Sequence, residues 1–117
     1  MNRHIALRFE GRPDLHMTLR YYSQKHAVER ALKDAQVLVQ KAKWFSFEMV
    51  RERWLGRNHD IRTLTVPWTA LPDWLINFAG QGGWIAHVTT EEKSLNLRCN
   101  AIAVMQKKQE IVRWQLT

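Results

Sequence analysis

Two short elements of this chain carry residues suited to proton transfer. His16-Met17-Thr18-Leu19 and His87-Val88-Thr89 both read His-x-Thr, and both lie in strand-like runs. Residues two apart on a strand share a face, so each histidine is paired with a hydroxyl beside it. Imidazole titrates near neutral pH, so one neutral and one charged ring can divide the work of breaking a phosphodiester. One takes a proton from the attacking oxygen and the other gives a proton to the leaving oxygen. The threonine hydroxyls can bond the non-bridging phosphate oxygens and hold developing charge. This chemistry requires no metal and no cofactor. With five histidines in the chain, chance gives two or more His-x-Ser/Thr matches in roughly 6% of such sequences. The bland alternative is two ordinary strand histidines, with threonine chosen for strand propensity.

Around the first motif, Leu15, Met17, Leu19 and Tyr21 alternate with His16, Thr18, Arg20 and Tyr22. The first set reads as core, and the second as a polar face of hydrogen-bond donors suited to an anion. Arg20 and Tyr22 are therefore candidates to hold a second phosphate or a base, with placement beyond the groove as the alternative. Trp84, at the head of the second motif's strand, is the third substrate-binding candidate. Trp54, Trp68, Trp74 and Trp114 have rings that could stack on a base, although packing is the expected role for any one of them. His59 and Asp60 are adjacent, face opposite ways on a strand, and do not form an acid–base pair.

The elements that must position these residues follow from the pattern. His4 to Phe9 alternates, with Ile5, Leu7 and Phe9 on one face, and reads as a first strand. Gly11 to Asp14 reads as a turn, and the His16 strand as the antiparallel neighbour of the first. Ser23 reads as an N-cap. Beyond it Val28, Ala31, Leu32, Ala35, Leu38, Val39 and Ala42 recur at helical spacing, predicting a helix from about Gln24 to Lys43. His26 falls in its first turn as a surface residue. Phe45 to Val50 reads as a third strand running on to Trp54, and Gly56-Arg57-Asn58 as a hairpin loop. Asp60 to Val66 reads as a fourth strand. Thr69 to Gly80 reads as a short helix starting near Pro72-Asp73. The His87 strand, a strand over Leu95 to Gln106 and a last strand over Ile111 to Leu116 complete the order. The class is α+β with mostly antiparallel sheet.

At 117 residues the chain fits one domain spanning 1–117. The net charge of +7, from 18 Lys and Arg against 11 Asp and Glu, favours anionic partners. The basic residues are dispersed, which fits a positive surface on a folded body better than a basic tail. No apolar run approaches a membrane span, and Met1-Asn2-Arg3-His4 opens no signal peptide. The single Cys99 cannot form an internal disulfide or a Cys-rich zinc site, and reads as a buried inert thiol. A cytoplasmic protein is expected.

Two His-x-Thr strands with a long helix after the first resemble the two-histidine (2H) phosphoesterase superfamily. That superfamily includes 2′-5′ RNA ligase-like proteins, cyclic nucleotide phosphodiesterases and small phage enzymes that degrade cyclic oligonucleotide signals. The resemblance implies two compact lobes around a central groove, each supplying one motif, with His16, Thr18, His87 and Thr89 as the catalytic set. It implies a phosphodiesterase acting on a cyclic nucleotide, a cyclic oligonucleotide or an RNA 2′,3′-cyclic phosphate end, with no metal and no membrane partner. A small basic stand-alone domain of this kind looks most like a phage counter-defence enzyme or an RNA-end processing protein. The chain is shorter than most members, Pro72 interrupts its second helix, and its second motif continues as Thr90-Glu91 where an apolar residue is usual. Without catalysis, the same features describe a basic module that binds RNA or sequesters a nucleotide. No duplex-DNA-binding motif is present.

Overall fold

The computed structural model describes residues 2–117. Two antiparallel sheets and two helices build the chain, an α+β arrangement. The larger sheet holds β1 (Arg3–Phe9), β2 (Arg12–Tyr22), β3 (Phe45–Met49), β7 (Leu95–Gln106) and β8 (Gln109–Gln115). Its order is β2-β1-β7-β3, with β8 also pairing on β7. The smaller sheet holds β4 (Arg51–Leu55), β5 (Ile61–Thr65) and β6 (His87–Thr89), in that order.

The larger sheet has two chemically distinct faces. Ile5, Leu7 and Phe9 of β1 join Ala31, Ala35 and Leu38 of helix α1 (Ala27–Lys41) in the main core. That core also takes in Leu64 and Val88 of the smaller sheet and Leu75 of helix α2 (Asp73–Ala79). The reverse face carries His4, Ala6 and Arg8, where Ala6, Ala103 and Met105 form a separate small cluster. Alternation along the strands sorts residues between these faces.

Several boundaries differ from those the pattern predicts. Helix α1 begins at Ala27, not Gln24, because His26 occupies the cap position in a left-handed conformation (φ 64°) without a side-chain cap bond. Ser23 thus lies outside the helix. Residues 45–54 are two strands, not one: β3 pairs with β7, whereas β4 pairs with β5. The chain passes from one sheet to the other at the exposed Val50. The expected turn at Gly11–Asp14 is tighter, since Arg12 already pairs with Phe9. The expected short second helix is a 3₁₀ turn at Trp68–Ala70 followed by α2, with Pro72 at its N-cap. Cys99 is fully buried, and burial pushes its thiol pKa up to about 12. Among the described residues, no helix is long and apolar enough to cross a membrane.

Candidate active site

Strand β2 is an edge of the larger sheet and β6 an edge of the smaller one, and these two edges lie in contact. The fold thereby brings the two His-x-Thr elements together at the junction of the sheets. The Nε1–H of Trp84, just ahead of β6, donates to the backbone carbonyl of Thr18 at 3.1 Å. Arg12 at the start of β2 forms an ion pair with Glu92, which follows β6. Exposed pairs of this kind contribute little, so the half-buried Trp84 bond and the shared core carry most of the alignment.

His16 sits opposite Arg8 in the β1–β2 register, and Thr18 sits opposite Ala6. Ala6 contributes only a methyl group, which leaves room for the His4 and His16 rings to approach with centroids 5.4 Å apart. Arg8 is buried and fixed on three sides. Its Nε donates to Glu110 Oε1 at 2.8 Å, Nη1 to the Leu15 carbonyl at 3.1 Å, and Nη2 to the Pro13 carbonyl at 2.9 Å. Burial, and after it the positive fields of His4, Arg8, His87 and Lys108, lower the His16 pKa to about 4. His16 is therefore neutral at pH 7, and His87 is near enough to be among the groups that act on it. The His4 pKa is lowered too, by burial and then by Arg8.

His87 is half-buried, with Nδ1 at 2.8 Å from the Ile85 carbonyl. A carbonyl only accepts, so Nδ1 carries the hydrogen and Nε2 remains for chemistry. Thr89 is exposed and Thr18 half-buried. Among the described residues, neither threonine hydroxyl has a hydrogen-bond partner, and no three His, Cys, Asp or Glu side chains gather as metal ligands.

Arg20 and Tyr22 do not share this surface. A β-bulge shifts the register so that Ala6 faces Thr18 while Ile5 faces Arg20, and Leu19 is the extra residue. Beyond the bulge the strand's faces exchange. Tyr22 is buried in the main core with its hydroxyl 2.6 Å from Asp34 Oδ2 of α1. Arg20 donates to Asp34 Oδ2 at 3.4 Å and to the Phe78 carbonyl at 2.7 Å. Both tie β2 to the helices. Tyr21, expected in the core, is instead 69% exposed and packs on His4 at 5.6 Å. A cleft of about 340 Å³ beside it is lined by Asn2, His4, Tyr21, Gln106 and Lys107. His4 and Arg8 could have been found from sequence. Once β1 is paired with β2, the residues alternating with Ile5, Leu7 and Phe9 must face the His16 side.

Trp84 lines a different cleft, of about 230 Å³, together with Trp68, Thr65, Arg51 and Arg53. Its ring lies 6.1 Å from that of Trp68.

No protein-family model matches the chain, and no curated protein matches it in sequence. Among solved structures it is similar to one described as "Crystal structure of phosphoesterase", with a TM-score of 0.63. The alignment covers 99% of this chain and 98% of that one at 13% identity. The likeness is one of fold: two antiparallel sheets and two helices laid out as in a phosphoesterase.

Proposed function

We propose that this protein is a metal-independent phosphodiesterase in which His16 and His87 serve as base and acid. The observation that carries this reading is the contact between edge strands β2 and β6, which sets the two His-x-Thr elements side by side. The neutrality of His16 assigns the roles. A ring with a pKa of about 4 cannot be the proton donor at pH 7, so His16 accepts the proton of the attacking water or hydroxyl. His87, with Nδ1–H held by a carbonyl, delivers a proton from Nε2 to the leaving oxygen. Thr18 and Thr89 donate their unpartnered hydroxyls to the non-bridging oxygens. An anionic phosphate favours the charged form of a neighbouring imidazole, so substrate itself raises the basicity of His16 within the complex.

The substrate class is a nucleotide phosphodiester, namely an RNA 2′,3′-cyclic phosphate end or a cyclic mono- or oligonucleotide. The basic balance of the chain and the phosphoesterase-like fold support it. The test is incubation without added metal against 2′,3′-cyclic and 3′,5′-cyclic nucleotides and cyclic di- and trinucleotides, read by mass spectrometry. Opening of at least one phosphodiester is expected. Intact ligand recovered from the denatured protein, with no turnover of any member, would identify a sequestering module instead.

A further inference from the structure

The smaller sheet carries a cationic surface continuous with His87. Its register sets Arg51 opposite Thr65 and Thr65 opposite His87; the next row is Arg53, Thr63 and Thr89. Directly paired residues share a face, as do residues two apart. Arg51 and Arg53 therefore lie on the same face as His87 and Thr89, two strands away, with Cα atoms about 10 Å from theirs at the usual strand spacing.

The two arginines also differ from most others in the chain. Arg8, Arg12, Arg20, Arg62, Arg98 and Arg113 each have a carboxylate partner. On the reverse face of the same sheet, Arg62 is bonded to Glu52 and to the carbonyls of Thr90 and Glu92. Arg51 and Arg53 are exposed, and among the described residues their guanidinium groups have no partner. They line the same cleft as Trp68, which is 38% exposed, and Trp84. Unpaired guanidinium groups beside an accessible indole are the combination that holds single-stranded nucleic acid. The cations take phosphates, and the ring takes a base whatever its identity.

We propose that this cleft is a subsite for the strand adjoining the scissile phosphate. Arg51 and Arg53 would bind the next phosphates and Trp68 would stack a base, making the preferred substrate a single-stranded oligoribonucleotide rather than a mononucleotide. The inference rests on the phosphodiesterase reading for its placement next to a reacting phosphate, and binding tests it separately.

The first measurement is the anisotropy of a fluorescein-labelled uridine octaribonucleotide titrated with the full chain at several salt concentrations. The double variant Arg51→Ala/Arg53→Ala should bind at least tenfold more weakly at low salt. Its log–log salt slope should be shallower by about 1.4, from two lost contacts at about 0.7 each. Trp68→Ala should cost about fivefold or more, from loss of a stacked base. Lys25→Ala/Lys33→Ala removes the same charge elsewhere and should cost much less. The second measurement compares kcat/KM for a uridine trinucleotide ending in a 2′,3′-cyclic phosphate with that for uridine 2′,3′-cyclic monophosphate. The Arg51/Arg53 double variant should lower that ratio at least tenfold.

Octamer binding that is absent, insensitive to the arginine pair, or equally sensitive to the lysine pair would overturn the subsite. So would an unchanged kcat/KM ratio, or retention on anionic phospholipid vesicles without RNA binding. Arginine-dependent octamer binding with no turnover of either cyclic phosphate or of any member of the cyclic nucleotide panel would retain the subsite and overturn the phosphodiesterase reading.

Discussion

The indole Nε1 of Trp84 donates to the backbone carbonyl of Thr18 across 3.1 Å, joining the approach to one His-x-Thr strand to the middle of the other. It is a direct hydrogen bond between the two halves of the candidate site. It also assigns the tryptophan expected to bind substrate a second task, as a tie-bar. Trp84→Phe keeps much of the ring and removes the donor. It should cost about 1 kcal/mol of stability, measured by urea unfolding. It should also lower kcat severalfold, because the spacing of the two rings loosens. A variant with wild-type kcat would show that this bond does not set the spacing.

The pH dependence should separate the free protein from its complex. The acid limb of kcat/KM follows the free protein, so it should lie near the His16 value of about 4, well below that of an ordinary histidine. The acid limb of kcat should lie higher, because bound phosphate favours the imidazolium. Lys108→Ala removes one of the fields that lower His16, and should move the kcat/KM limb upward. Coincident limbs, or a limb unmoved by Lys108→Ala, would contradict this assignment.

Replacing either ring should affect turnover without unfolding the chain. His16→Gln and His87→Gln should each lower kcat by at least about 10²-fold, the scale for losing a positioned acid or base. Both side chains are half-buried at the sheet junction rather than in the core, so circular dichroism should be unchanged. The double variant should be little slower than the slower single one, since acid and base act as a unit. A folded single variant with near-normal turnover would rule out the two-histidine mechanism.

Chelation gives an independent test of the same chemistry. Turnover in excess EDTA should equal turnover without it, since proton transfer and hydroxyl donation perform every step assigned here. Loss of activity restored by a divalent ion would point to metal-assisted hydrolysis.

Stability should fall on mild acidification. His16 and His4 both have folded-state pKa values below the ordinary 6.5. Between about pH 6.5 and pH 4 the unfolded chain binds protons that the folded chain refuses. The contribution of these neutral rings is therefore complete above the unfolded value and is lost as pH falls towards the folded one. The thermal midpoint should be lower at pH 5 than at pH 7.5, and His16→Gln should narrow the gap. A gap of the same size in the variant would show that other groups cause it.

Local pattern identified much of this. The His-x-Thr elements, the long helix and the β7 strand each announce themselves through alternation or helical spacing. The failures are long-range. Nothing local in Phe45 to Trp54 reports that β3 and β4 pair with different partners, because an exposed Val50 reads as one more strand residue. In sequence Arg51 and Arg53 therefore read as dispersed surface charge, whereas pairing through β5 sets them in rows with His87 and Thr89. The left-handed His26 is similarly invisible, since Ser23 offers an ordinary capping side chain. Arg20 and Tyr22 lie off the face that alternation predicts, because a period of two assumes an uninterrupted ladder.

That interruption at Leu19 gives β2 two independent halves. Before it, His16 and Thr18 face the junction of the sheets; after it, Arg20 and Tyr22 grip α1. A single inserted residue therefore lets one strand answer to two unrelated selective pressures. Substitutions at Tyr21 can change what lies beside His4 without loosening the helix, whereas substitutions at Tyr22 would loosen the helix and leave that surface alone. Deleting Leu19 would remove the bulge and join the halves in one regular ladder, with Thr18 still opposite Ala6 and Arg20 still opposite Ile5, so the anchor and the exposed ring should keep their faces.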